Sequence, residues 1–127
     1  MPRIPDDLEL SAADSLAYAQ DLLNRGLAFN AHEVLEAAWK NGPPEERQLW
    51  QGLAQLAVGI THIQRGNRSG ALALLQRGSA HLHHTARPTP YSVDTESLLE
   101  WAAALVADLG TGADIPASRL QPALRRV

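Results

Sequence analysis

The chain has 127 residues, 45% of them hydrophobic and 20% charged, with a formal net charge of −3 from 11 basic and 14 acidic side chains. One domain of this length buries roughly two-thirds of its unfolded surface, which excludes global disorder and any need for a disulfide or metal to fold. The ten arginines and one lysine are scattered apart from Arg125-Arg126, leaving no basic footprint for nucleic acid, and the lack of cysteine removes any disulfide scaffold, thiol nucleophile or thiolate metal site.

The N-terminal run Met1 to Asp7 lacks the apolar stretch of a signal peptide. The first helix is predicted from Ala12 to Arg25, with Ser11 and Asp14 as a capping-box-like start and Gly26 as a stop. The second is predicted from Ala31 to Lys40, capped by Asn30 and ended by Asn41-Gly42-Pro43. The third and longest is predicted from Pro44 to Arg65, with Glu45 and Glu46 favouring the positive end of its dipole. Its apolar stretch Leu53 to Ile63 is interrupted by Gln55, Thr61 and His62 and is too short to cross a bilayer. The fourth helix is predicted from Ser69 to His83 and the fifth from Thr95 to Leu109, with Asp94 as cap and Gly110 as stop. Strand signals are almost absent.

These elements predict an all-α fold: a compact bundle of about five helices without a sheet, in a single domain spanning 1–127. Its core is expected over about 11–109, followed by an extended proline-containing tail over 110–127. That tail is expected to order only where Ile115, Leu120 and Leu124 find a surface.

The third helix is apolar nearly all round, which predicts a central, buried position. Gln51, Gln55 and His62 nevertheless lie close to one line at about 100° per residue, and Gly52 and Gly59 beside them open room for another helix. The second helix offers a matching polar strip: His32 and Glu36 are four residues apart, Glu33 adjoins them, and Trp39 lies beside His32. The expected arrangement sets His32 and Glu36 against Gln51, Gln55 and His62. Three readings stay open: a buried hydrogen-bond network, a solvated face carrying a Glu36–Lys40 pair, or a ligand site. In the last, a divalent metal is the candidate cofactor, with His32, Glu36 and His62 as ligands and Glu33 as the candidate catalytic base. His81, His83 and His84 are better explained by the dipole at a helix C-terminus than by metal binding.

The run from Phe29 through His32-Glu33-Val34-Leu35-Glu36 to Trp39 resembles the signature of the family called domain of unknown function 309: an aromatic, then His-Glu-x-x-Glu-x-x-Trp. The block from Leu49 through Gln51-Gly52 to His62 resembles that family's second block, with Thr61 where an aromatic is common. Arg65-Gly66-Asn67 and the helix after it also fit, so the resemblance covers roughly Leu16 to Leu82. It implies an all-helical fold in small, mainly bacterial and plastid proteins, and points to His32, Glu33, Glu36, Trp39, Gln51 and His62 without supplying an activity. Biochemical function, and whether the protein is an enzyme, are therefore open. The two expectations are a metal- or small-ligand-binding protein and a homodimeric interaction module whose polar cluster is structural. Cytoplasmic placement, a small-molecule ligand or a homo-oligomer as partner, and neither nucleic acid nor membrane are expected.

Overall fold

The computed structural model describes residues 3–5 and 7–126. Among them five α-helices form: α1 (Ala12–Asn24), α2 (Ala28–Asn41), α3 (Arg47–Gln64), α4 (Arg68–His83) and α5 (Thr95–Gly110). Short 3-10 turns lie at Pro44–Glu46, Pro90–Ser92 and Ala117–Leu120. The fold is all-α, and the one extended pairing among the described residues is an isolated antiparallel bridge between Val93 and Arg125. No described helix is long and apolar enough to cross a membrane.

The helix starts follow their caps. Ser11 Oγ accepts from the Asp14 amide at 3.0 Å, Asn67 Oδ1 from Gly70 at 3.0 Å, and Asp94 Oδ1 from Ser97 at 3.2 Å. Bonding to Ser97 also holds the Asp94 carboxyl below the usual aspartate range. Two interhelical connections share one ending. Gly26 and Gly66 adopt φ +75°, and the amide beyond each reaches back five residues, Leu27 to Leu22 and Asn67 to His62, both at 2.8 Å. A left-handed glycine with this 6→1 bond satisfies the last carbonyls and turns the chain within two or three residues.

The second helix departs from the expected start. It begins at Ala28, with Leu27 at the cap position and no side-chain cap, because the turn at Gly26 restarts a helix at once. Asn30 is therefore inside α2 and buried. The long third helix divides into the turn at Pro44–Glu46 and α3 proper.

Each helix packs on its sequence neighbours: α1 on α2, α2 on α3, α3 on α4 and α4 on α5. Helix α3 is buried along most of its length, with Leu49, Trp50, Leu53, Leu56 and Ile60 in the core. The α3–α4 contact is close because glycines face it. A Cβ at Gly59 would sit 2.9 Å from Leu75 Cδ2, and one at Gly78 would sit 2.9 Å from the Gly52 carbonyl oxygen. The helix admitted by Gly52 and Gly59 is thus α4.

The segment after α5 is ordered against the body. Leu120 and Leu124 are buried. Gln20 of α1 donates to the Pro122 carbonyl and accepts from the Leu124 amide at 2.8 Å. Trp101 donates its indole N–H to the Arg119 carbonyl at 2.7 Å. The Arg68 guanidinium donates to the carbonyls of Leu109 and Ala113, placing positive charge at the negative end of α5. Where an extended tail was expected, the structure has a 3-10 turn and two leucine anchors.

Candidate functional site

Helix α2 presents two working faces. On the first, His32, Glu36 and Lys40 form a ladder at i, i+4, i+8. The imidazole Nε2 is 2.9 Å from Glu36 Oε2, and Lys40 Nζ is 2.9 Å from Glu36 Oε1. His32 Nδ1 lies 3.1 Å from the Phe29 carbonyl. Each ring nitrogen thus faces an oxygen, a backbone carbonyl on one side and a carboxylate on the other. The bond from Lys40 and the bond and charge of His32 hold the Glu36 carboxyl below the ordinary 4.5, against the opposing effect of partial burial.

Glu33 is placed differently from its neighbours. It is 7% exposed, and its carboxylate accepts from the Ile4 amide at 3.2 Å, from the Arg3 guanidinium and from Asn30 Nδ2 at 3.5 Å. The Arg3 guanidinium also lies 5.1 Å from the centre of the Phe29 ring, and Arg65, just after α3, approaches the same ring at 5.5 Å. Glu33 thereby fastens the segment before α1 to the side of α2. Further along, Asn41 donates to the Leu8 carbonyl at 3.2 Å and fixes the same segment a second time.

The α3 strip does not join this ladder. Two contacts fix the antiparallel register of α2 and α3: Gln64 donates to the Gly26 carbonyl, and Gly42 lies beside Trp50. Gln51 then sits about two helical turns, on the order of 10 Å, along the axis from the level of His32. Among the described residues no hydrogen bond links His32 or Glu36 to Gln51, Gln55 or His62. His62 Nδ1 instead lies 3.2 Å from Asn67 Nδ2 in the α3–α4 turn. Among the described residues the buried Oε1 of Gln55 finds no hydrogen-bond partner. Trp39 packs partly buried against the core. His81 contacts Gln48 Oε1, and His83 and His84 are exposed. Among the described residues no group of three or more His, Cys, Asp or Glu side chains is arranged to hold a metal ion. The structure thus brings His32 and Glu36 together and leaves His62 outside their contact.

The second face of α2 floors a cleft of about 460 Å³. Val34, Ala37 and Ala38 form its apolar base, Leu8, Leu10 and Ala12 one wall, and Glu46, Trp50 and Tyr91 the other. Leu10 and Tyr91 are the exposed large apolar side chains of the described residues, at 41% and 36%, and both border this one cleft. The Glu46 carboxylate accepts from the Trp50 indole N–H at 3.0 Å and from the Tyr91 hydroxyl at 2.5 Å. That second bond holds the Tyr91 hydroxyl above the usual phenol range, since losing its proton would set two anions side by side.

Tyr91 reaches this place through a strained turn. Tyr91 and Ser92 both have φ +60°, a left-handed backbone unfavourable for a bulky residue. The C-terminal segment fastens the turn: Arg125 Nε donates to the Tyr91 carbonyl at 2.9 Å, and the Arg126 amide donates to Ser92 at 2.8 Å. Strain held by surrounding contacts is characteristic of positions whose side chain is being aimed. The cleft escaped the reading of the sequence because its walls come from residues about 80 positions apart. The only signal along the chain was Trp50 one turn after Glu46.

Residues 16–74 match the model of a family described as Domain of unknown function (DUF309). The match confirms the resemblance carried by the His-Glu-x-x-Glu-x-x-Trp and Gln-Gly blocks, and it covers α1 to α3 and part of α4. The chain is also similar to "Uncharacterized protein YpuF" of Bacillus subtilis (strain 168), with 46% identity over 48 residues, which is 37% of this chain and 28% of that protein. The matched stretch thus spans little more than a quarter of that relative. No solved structure matches the chain. Neither description carries an activity, and the biochemical function is unknown.

Proposed function

We propose that the domain is a small-molecule-binding module whose ligand occupies the cleft between the segment before α1, the floor of α2 and the Glu46–Trp50–Tyr91 wall. One observation carries the reading: the exposed large apolar side chains and a carboxylate fixed by two aromatic donors converge on a single concavity. A volume of about 460 Å³ falls within the range of roughly 300–1,000 Å³ typical of ligand pockets, and an apolar floor with few placed polar groups is their usual lining. In this reading the polar ladder of α2 is structural. Glu33 holds the segment that forms one wall, and His32 and Glu36 tie off the outer face of the same helix. A cytoplasmic setting belongs to the same proposal, since a chain without cysteine needs no oxidising compartment.

The metal reading is less well supported. His32 and Glu36 supply two ligands, where a structural zinc takes four and a catalytic zinc three from the protein.

Ligand-observed NMR with a library of small amphipathic compounds tests the proposal. Bound compounds are expected to shift the Trp50 indole N–H resonance, and Ala38→Phe, which fills the floor, is expected to abolish both the binding and the shift. Compounds that bind wild type and Ala38→Phe equally would place the site elsewhere and refute the reading.

A further inference from the structure

We infer that the cleft selects a small organic cation, an ammonium or amidinium group carried on an apolar body, with Glu46 as counter-charge and the Tyr91 ring as the aromatic wall. This rests on the reading of the cleft as a ligand site and adds the chemical class of the ligand.

Charge is the first argument. Among the described residues the ionisable side chains lining the cleft are Glu9, Glu46 and the phenol of Tyr91, with no lysine, arginine or histidine. Among the described residues neither Glu46 nor Glu9 makes an ion pair, whereas Asp21, Glu33, Glu36, Asp94 and Asp108 each do. The two donors that Glu46 does have, an indole N–H and a phenol O–H, are neutral. They orient the carboxylate without cancelling its charge, and two of its roughly four acceptor positions stay open.

Orientation is the second argument. The Tyr91 ring stands 6.1 Å from the Trp50 ring at a 39° tilt, so a buried indole backs an exposed phenol. The face of an aromatic ring attracts a cation, and a carboxylate held beside it adds to that attraction. The strained turn at Tyr91 and Ser92, tied down by Arg125 and Arg126, keeps the ring at the cleft mouth. The floor of Val34, Ala37 and Ala38 receives the apolar body. An anion would meet the like charge of Glu46 and Glu9, and a neutral molecule would gain the floor but not the carboxylate.

Three probes of nearly equal shape separate the terms: phenethylamine, phenethyl alcohol and phenylacetate, titrated against the intact chain while the Trp50 indole N–H is followed by NMR. The amine is expected to bind about tenfold tighter than the alcohol, the acetate weakest, and the preference for the amine to shrink at high salt. Glu46→Gln is expected to bring amine and alcohol to similar affinity while the alcohol still binds. Should Glu46→Gln fail to fold, Glu9→Gln on the exposed rim is expected to lower the ratio by a smaller factor. Equal binding of amine and alcohol to wild type would overturn the cation preference and leave the ligand site standing. A preference unchanged in the folded carboxylate variants would likewise overturn it. If none of the three probes moves the Trp50 signal, the ligand-site reading falls with it.

Discussion

The carboxylate of Glu33 receives the Ile4 amide and the Arg3 guanidinium together, so its removal orphans a buried donor and releases a wall of the cleft. Glu33→Ala is expected to destabilise the fold by about 1–3 kcal/mol, measured by urea denaturation, and to make the segment before α1 more susceptible to limited proteolysis. Glu36 is a milder case. Its side chain is 35% exposed, so solvent screens its pairs with Lys40 and His32. Glu36→Gln is expected to cost less than about 1 kcal/mol near neutral pH. The folded state holds this carboxyl below the ordinary 4.5, so its contribution is present above that value and fades as pH falls through the lower folded value. Urea titrations of wild type and Glu36→Gln should therefore converge on acidification. A gap that widened on acidification would contradict the assigned direction.

Between helices, glycine sets both the turns and the closest packing. At Gly78 an added methyl would meet the Gly52 carbonyl oxygen, a backbone atom that cannot swing aside. Gly78→Ala is expected to lose about 1–3 kcal/mol through overpacking, outweighing alanine's gain in helix propensity. Gly110, the last residue of α5, has open space around it. Gly110→Ala is expected to gain about 0.5–1 kcal/mol, and thermal unfolding of the two variants checks that the signs differ. Much at this scale was legible in the sequence, because helix signals are local. Ser11, Asp94, Gly26 and Gly66 marked starts and stops through bonds that reach only a few residues. Asn30 misled because a good capping residue carries no label saying that the chain has already turned at Gly26. The proximity of His32 and Glu36 followed from their spacing alone. Which helix would lie against Gly52 and Gly59, and in what register α2 meets α3, depends on packing between distant segments. Local spacing along α3 cannot say that α4 is the helix that takes its glycines.

Across the whole molecule, the proposed ligand cleft joins helical residues to segments outside the helical array. The cleft borrows one wall from residues before α1 and the Tyr91 turn from the connection to α5, and the C-terminal segment fastens that turn. Leu124, 3% exposed, anchors that fastening. Leu124→Ala is expected to cost about 2–5 kcal/mol. Chemical shifts of Tyr91 are expected to move with it through the bonds of Arg125 and Arg126 to the Tyr91–Ser92 turn, whereas a purely local cavity would leave Tyr91 unchanged. Neither the cleft nor its dependence on the last residues could be read along the chain, since each needs contacts spanning most of its length.

The bonds between Gln20 and the Pro122–Leu124 stretch join positions 102 and 104 residues apart. Closing so long a loop is entropically slow, whereas the hairpins of neighbouring helices close locally. Refolding should therefore proceed in order: the helical array first, then the strap that stitches its first helix to its last segment. Pulsed hydrogen exchange would see the amides of Leu53 and Leu56 gain protection before that of Leu124.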